Sequence, residues 1–420
     1  MIPDALVNNL WVLLAGLLVF TMTIAVGLLE VGELGEGFNF SLLKTIFMTG
    51  AAVVVMGVVG FNTAFAPTWY GVIGDPFYGP GFFLGGFSDS VGVTDVWWSQ
   101  LGTTNLTTGT YFLFETAFAA VTLALVGVIF LRKVKLAAIW GFSLVYFTVI
   151  WNLPAAWIWN SSGWLFKLGM ADFAGGLVVH GAAGAAGLGV LYQIWREERA
   201  RGHATSPQVP YRVNPGWLTL AILLLWVGWF GFNPGSVLAF NDEAIVVVLT
   251  TFLAAATSML SLLLLGVFVD RETPRILETV NGVLMGLIII TPLAGFVSPG
   301  TAIVLGAAGG PLFLAGERFF ARWKWFADPV GLLPGHLLGG IFGIGMIAFF
   351  AQSKYAAASG VTLPNGLLFG GGATAVHQLG IEVFGVLVVV AVVFVLSFVT
   401  MAVLSRLLGG ITTPTESVEQ

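Results

Sequence analysis

Long runs of apolar residues, separated by short polar segments, extend along almost the whole chain of 420 residues. A run of about 20 apolar residues is long enough to cross the hydrocarbon core of a membrane as a helix. We find eleven such runs, at about 7–29, 41–63, 111–131, 136–157, 173–195, 215–232, 243–269, 277–295, 300–317, 330–351 and 378–405. The pattern predicts an all-α integral membrane protein with eleven transmembrane helices.

The composition narrows the class of protein further. Only 9% of the residues are charged and 57% are hydrophobic, whereas a soluble chain has about 25% charged residues. The 56 glycines suit helices that pack closely in lipid. We therefore predict that the protein is not an enzyme. The absence of cysteine excludes thiolate metal sites, and the net charge of −5 gives no reason to expect a nucleic-acid partner.

The basic residues indicate how the helices are oriented. If the N-terminus lies outside, only Lys167 and Lys354 of the 16 Lys and Arg residues fall on the outer side. An excess of Lys and Arg is typical of cytoplasmic loops. The sequence therefore predicts an N-out, C-in protein of the cell membrane, either plasma or inner.

One short pattern occurs twice. An Asp is followed eight residues later by a His in Asp172/His180 and again in Asp328/His336, and each pair opens a Gly-rich helix. The two copies begin the fifth and tenth spans, which run in opposite directions in the predicted topology. Inverted repeats of this kind are common in transporters, where the substrate path lies between them.

This pattern suggests a domain organisation. We expect two inverted five-helix repeats at about 7–195 and 215–351, and one further helix at about 378–405. Together they form a membrane domain at 1–408, and 409–420 is a short polar cytoplasmic tail.

The two histidines are the first candidates for chemistry. His180 and His336 lie about two turns into their helices, and an ionisable side chain at that depth is a functional hypothesis by default. A hydrogen bond between helices would also explain a single one, but matched positions in two repeats favour a shared role near the middle of the membrane. Two imidazoles without a nearby carboxylate or thiolate are too few for a metal site, so we predict no metal and no cofactor.

Asp172 and several aromatic residues complete the candidate set. Asp172 stands where a helix N-cap is expected; it is either only a cap or also a buried negative charge that favours a cation at the outer mouth. Aromatic faces attract cations. Three aromatic groups contain or adjoin small polar residues: Phe114 and Phe118; Trp157 and Trp159; and Trp229, Phe232 and Ser236.

At these residues the sequence resembles the ammonium transporter family, whose relatives include the Rh proteins. The segments DFAGGLVVHGAAGAAGL, GWFGFNPGS and FLFETAFAAVT are similar to family motifs, and GLLEVG, GFNTAF, GFFLGG and TPLAGFVSPG follow the family's order between about residues 8 and 406. The resemblance implies an eleven-helix homotrimer with one narrow pore in each subunit. It also implies ammonium or ammonia as substrate.

The resemblance implies a role for each candidate residue. Phe118, Trp159 and Ser236 would form the outer ammonium site, with Asp172 shaping it from beneath. Phe118 and Phe232 would stack as a gate. The mouth and pore would be lined by Phe114 and Trp229, and the twin pore histidines that relay the proton would be His180 and His336.

The chain departs from the family pattern at several positions. Glu115 stands where the family usually has Gln, and Gly331 replaces the usual acidic residue before the second pore histidine. Glu33 and Glu36 replace a usual basic segment, and WNSSGW is one residue longer than its family counterpart. The tail lacks the Gly-Leu-Asp segment through which family members contact a cytosolic PII-type regulator.

The sequence favours one function over two alternatives. The first is an electrogenic ammonium transporter that deprotonates ammonium and conducts ammonia together with a separately relayed proton. The second is an ammonium sensor with little or no flux, whose natural chain would continue past Gln420 into a signalling module. The third, a passive Rh-like gas channel, is disfavoured by the aromatic and hydroxyl-bearing outer site.

Overall fold

The structure is a computed structural model that describes residues 3–35, 37–78, 106–130, 134–202, 213–270, 273, 275–323, 328 and 330–412. Within them, eleven helices are long and apolar enough to cross a membrane. We number them α1 (Asp4–Leu34), α2 (Phe38–Phe65), α3 (Thr108–Phe130), α4 (Leu136–Ile158), α5 (Gly176–Ala200), α6 (Pro215–Gly235), α7 (Asp242–Val269), α8 (Ile276–Leu293), α9 (Pro299–Phe320), α10 (Leu333–Phe350) and α11 (Gly372–Leu408). The predicted all-α protein with eleven transmembrane helices is confirmed.

Some helices begin or end at residues other than those where the apolar runs begin or end. At these ends the backbone conformation of a glycine sets the helix boundary. α1 and α11 extend beyond their runs, and each ends at a glycine in the left-handed conformation, Gly35 at φ 62° and Gly409 at φ 63°. Glycine is the usual residue at such a terminus because it has no Cβ to clash. α5 begins at Gly176 rather than at the predicted 173, because Gly175 at φ 107° interrupts the helical backbone.

Small residues bring the central helices together. α1 packs extensively against both α3 and α6. A Cβ on Gly231 of α6 would lie 2.4 Å from the carbonyl oxygen of Ala15 on α1, and one on Gly228 would lie 2.2 Å from the Met22 side chain. Close backbone approach through small residues is how transmembrane helices pack in lipid. α3, which carries Phe114 and Phe118, and α5, which carries His180, are the most deeply buried spans.

The segments between α2 and α3 and between α10 and α11 contain some regular structure. Strand β1 (Thr68–Trp69) pairs antiparallel with β2 (Ile73–Gly74), and a short helix covers Ser353–Ala358. Between α2 and α3, residues 79–105 lie outside the described residues.

An ion pair and a group of hydrogen bonds tie the predicted cytoplasmic ends of the helices together. Lys44 Nζ on α2 lies 2.7 Å from Glu30 Oε1 on α1, and both side chains are almost completely buried. After α11, the backbone N–H of Ile411 donates to Glu197 Oε1 on α5 at 2.9 Å, and Arg201 donates to the Thr412 hydroxyl. The rest of the predicted tail, 413–420, lies outside the described residues.

Candidate functional site

The two Asp–His segments have similar local structures. The Asp172 carboxylate accepts backbone hydrogen bonds at 2.7–2.9 Å from residues 175–178 at the start of α5. Asp328 accepts the N–H groups of Leu332 and Leu333 at 3.0 and 2.7 Å, ahead of α10. Burial raises the pKa of the Asp328 carboxyl, although these backbone hydrogen bonds lower it in part. Both aspartates therefore act as helix caps.

The resemblance between the two segments extends to the backbone. A glycine with positive φ follows each aspartate by three residues, Gly175 at 107° and Gly331 at 68°. Each of the two spans then opens with a wide π-helical turn, Gly176–Gly181 in α5 and Leu333–Leu337 in α10. π turns also occur within α2, α4 and α7, so what the two segments share is the whole sequence of aspartate, glycine and π turn. Gly331 thus has a conformational reason to be glycine in this chain.

These turns place the two histidines in direct contact. His180 and His336 approach each other to 3.1 Å between their Nδ1 atoms, with ring centroids 5.1 Å apart. Both rings are buried, at 0% and 7% exposure. His180 Nε2 has no hydrogen-bond partner among the described residues. The structure therefore brings the two candidate histidines into contact. The Nε2 atom of His180 remains available for a further hydrogen bond.

Two aromatic rings of α6 stack on the histidine pair. The ring of Phe232 lies 5.7 Å from that of His180 at an interplanar angle of 11°, and Trp229 lies 5.5 Å from it at 23°. Trp229 Nε1 donates to the Thr291 hydroxyl at 3.0 Å, and that hydroxyl donates to the Leu287 carbonyl at 2.7 Å. The tryptophan ring is thus fixed from behind by α8.

Phe118 is the centre of an aromatic cluster on the other side of Phe232. Its ring lies 4.4 Å from Phe232, 4.8 Å from Phe114 and 5.8 Å from Trp159. All three phenylalanines are buried. Phe232 thus contacts Phe118 on one side and His180 on the other.

Trp159 and Ser236 lie at the edges of this cluster. Trp159 Nε1 donates to the backbone carbonyl of Asp172 at 2.8 Å, so the segment capped by Asp172 also orients the tryptophan. Ser236 is half-buried one turn beyond Phe232, and its hydroxyl donates to the Phe232 carbonyl at 2.8 Å. That hydroxyl oxygen can still accept a hydrogen bond.

The space beside the histidines is small and mostly apolar. One small cavity touches His180 and His336, and its other lining side chains are apolar, among them Val26 and Leu284. A second small cavity is lined by His336 and Gly331. Within the described ranges, no group of three or more His, Asp or Glu residues is placed to hold a metal ion. The two imidazoles are thus in hydrogen-bond contact with each other and border small, mostly apolar cavities.

Some residues differ in role from what the sequence indicates. Trp157 lies apart from the Phe118 cluster, because its Nε1 donates to the Val72 carbonyl at 2.7 Å and its ring packs on Trp164. Two residues near the site were not identified from the sequence. One is Thr291, and the other is Trp151, whose ring lies 6.4 Å from that of Trp159. The only sequence signal for Thr291 is its place at the start of the segment TPLAGFVSPG.

The fold and site define a multi-pass membrane protein in which buried aromatic rings lead to a pair of histidines. A model described as Ammonium Transporter Family matches residues 10–419. The chain belongs to the ammonium transporter family.

Individual proteins resemble the chain over most of its length. It is 28% identical over 410 residues to an ammonium transporter of Bacillus subtilis, covering 96% of this chain and 92% of the relative. Mep2 of Candida albicans has a similar fold, with a TM-score of 0.84, 24% identity and coverage of 99% and 87% of the two chains. A structure described as a sensor Amt protein gives a TM-score of 0.83, 25% identity and coverage of 99% and 96%.

Proposed function

We propose that the protein is an ammonium transporter. Family membership supports this function, as do curated relatives named ammonium transporters in bacteria, archaea and eukaryotes. The observation that carries the proposal is the continuous series of contacts from Phe118 through Phe232 to His180 and His336. These relatives are named as transporters, which also supports a role other than an enzyme.

The outer site recruits the ammonium ion. Phe118 and Trp159 offer aromatic faces to the cation, and the Ser236 hydroxyl oxygen accepts one of its hydrogen bonds. Asp172 supports the site from beneath through its backbone contact with Trp159. Phe114 lines the mouth, next to the ring of Phe118.

Deprotonation separates ammonium from other cations. A bare monovalent cation in an apolar cavity is very costly, since charges buried without a partner lose their hydration. Ammonium avoids that cost by giving up a proton, and ammonia then passes the Phe118–Phe232 gate. Potassium has no proton to give up and is excluded.

The histidine pair carries the proton separately. Each imidazole can accept a proton on one nitrogen while it donates from the other, and the 3.1 Å contact between Nδ1 atoms joins the two rings. Trp229, stacked on His180, holds the pair in the path of ammonia. Each ammonium then moves one net charge, which makes transport electrogenic.

The remaining features of the proposal follow from the sequence and the family. Residues 1–408 form the membrane domain, with pseudo-repeats at about 7–195 and 215–351, and 409–420 form the tail. The chain assembles as a homotrimer in the cell membrane with its N-terminus outside. No PII-type regulator enters the proposal, because the tail lacks the Gly-Leu-Asp segment.

Two other functions are less well supported. The ammonium sensor is not favoured, because relatives that match nearly the whole chain are named transporters. The passive gas channel is disfavoured by the aromatic cluster of Phe118 and Trp159, which is suited to a cation rather than to a neutral gas.

The test is an ammonium-jump current on purified protein in liposomes, combined with ammonium binding on the same sample. We expect a current that saturates with ammonium and is absent with potassium. Tight binding without current would contradict transport and would support the sensor instead. Equal currents for both ions would contradict the deprotonation step.

A further inference from the structure

Glu115 is a buried carboxyl that the proposed transport steps do not use. It lies in the middle of α3 and is only 4% exposed. Its side chain is hydrogen-bonded with the Tyr111 hydroxyl one turn earlier, and its Oε2 atom has no hydrogen-bond partner among the described residues. In the same part of the chain, no basic side chain forms an ion pair with it. One carboxylate oxygen is therefore without a compensating donor or charge.

A carboxylate cannot remain charged and unpaired at this depth without a large penalty. Two states avoid the penalty: the carboxyl can carry a proton, or it can be ionised with a cation close by. The charge of Glu115 is therefore coupled to protons and to any cation that enters its surroundings.

Along α3, Glu115 is a neighbour of the outer aromatic cluster. Glu115 precedes Phe118 by three residues on α3, and residues at this spacing are neighbours on a helix surface. Tyr111 is connected to the cluster through two further rings, because the ring of Phe65 lies 5.1 Å from that of Tyr111 and 6.5 Å from that of Trp151. Trp151 in turn contacts Trp159.

Other ionisable groups on the helices packed against α3 lie far from this carboxyl. The pair formed by Lys44 of α2 and Glu30 of α1 contacts the Gly127 carbonyl, about 18 Å further along α3 at 1.5 Å per residue. Glu33 of α1 lies beyond Glu30. Asp4 of α1 lies at the opposite end of α3. It precedes Asn9, whose side chain accepts hydrogen bonds from Thr107 and Thr110 near the start of α3.

Within α5, His180 is separated from Phe118 by the ring of Phe232. Tyr111 is the ionisable group that interacts electrostatically with Glu115 in the described part of the chain.

We propose that Glu115 is the counter-ion of the ammonium recruited at the outer site: it carries a proton when the site is empty and is ionised when ammonium is bound. Binding then exchanges the proton on Glu115 for an ammonium ion at the outer site. The O–H bond of the carboxyl breaks, its proton goes to solvent, and the carboxylate offsets the charge of the intact ammonium ion. This inference rests on the outer site of the proposed function.

The exchange has a measurable consequence. Over the pH range where the empty site is protonated, each ammonium bound releases up to one proton, and the affinity for ammonium rises up to tenfold for each pH unit. We expect the substitution Glu115→Gln, which keeps the shape but cannot ionise, to abolish this release and to make the affinity independent of pH. Glu115→Asp should keep the release. Glu278→Gln, at the Arg275 pair, is the matched control and should behave like the unchanged protein.

The experiment is calorimetric titration of purified protein with ammonium chloride between pH 5.5 and 8, in two buffers of different ionisation enthalpy. Proton release that is equal in the unchanged protein and in Glu115→Gln, or absent from both, overturns the inference. Tyr111→Phe is a second variant, needed if Glu115→Gln does not fold. It should move proton release to higher pH because the carboxylate loses a hydrogen-bond donor, and an unchanged pH range would overturn the inference.

Liposome currents on the same samples separate the two proposals. A current in the unchanged protein without Glu115-dependent proton release leaves transport standing and overturns the counter-ion. Glu115-dependent release without any current supports the counter-ion and overturns transport. Absence of both ammonium binding and current in the unchanged protein overturns both.

Discussion

The Nδ1 atoms of His180 and His336 lie 3.1 Å apart, which is hydrogen-bond distance. A neutral imidazole carries a proton on only one of its two nitrogens. If both rings are neutral, one Nδ1 is therefore protonated and the other is not, so the two histidines hold different tautomers. Moving a proton through the pair reverses this arrangement, and the next proton needs the rings to reset. The contact is therefore suited to passing protons one at a time.

Removing either imidazole should stop the charge movement. We expect His180→Leu and His336→Leu to lower the ammonium-dependent current about 100-fold or more, the low end of what a positioned acid or base contributes. The measurement is the liposome current at saturating ammonium. His377→Leu makes the same change at an exposed histidine on α11 and should leave the current unchanged. An undiminished current in either pore variant would exclude the proton relay.

Phe118 should contribute to ammonium affinity as well as to gating. We expect Phe118→Ala to weaken binding at the outer site by about 1 to 2 kcal/mol, the size of a desolvated cation–π contact, or about five- to thirtyfold in affinity. The measurement is an ammonium titration of purified protein. Phe252→Ala is the control, because Phe252 lies on α7 and is 49% exposed. Unchanged affinity in Phe118→Ala would mean that ammonium binds elsewhere.

The hydrophobic pattern was sufficient to predict the number and approximate position of the transmembrane helices. Hydrocarbon length constrains a span, and the chain has few charges that could interrupt one. The ends were harder to predict, because backbone conformation sets them. Gly35 and Gly409 end their helices in the left-handed region, and α5 begins only after Gly175.

Site residues could be predicted from the sequence where the residue type alone is unusual in a transmembrane helix. Two histidines in apolar helices are rare enough to attract notice, and the structure places them in contact. The residue pattern alone does not distinguish Trp157 from Trp159, because the direction of each ring depends on the fold; only the resemblance to the family selects Trp159. Thr291 was missed because a threonine in an apolar segment usually donates to its own helix, and only the fold brings Trp229 to it.

Thr291 should act by holding the Trp229 ring against His180. We expect Thr291→Val, which leaves Trp229 Nε1 buried without an acceptor, to cost about 1 to 3 kcal/mol of stability and to lower the maximal current. Ammonium affinity at the outer site should not change, since Trp229 lies beyond Phe232. Thermal unfolding, current and binding are measured together. Thr257→Val, at a hydroxyl that donates only to its own helix, is the control; a loss of outer-site affinity in Thr291→Val would contradict this role.

The buried pair of Lys44 and Glu30 should matter for stability. Lys44 Nζ also donates to the Gly127 carbonyl at 2.8 Å, so one ammonium group joins α1, α2 and α3. Removing one partner of a buried ion pair leaves the other charge without compensation and typically costs about 3 to 5 kcal/mol. We expect Lys44→Met to lower the unfolding temperature in detergent strongly, and the double variant Lys44→Met with Glu30→Gln to recover part of the loss. Lys354→Met changes an exposed lysine and should have little effect. If Lys44→Met were as stable as Lys354→Met, the pair would not hold these three helices together.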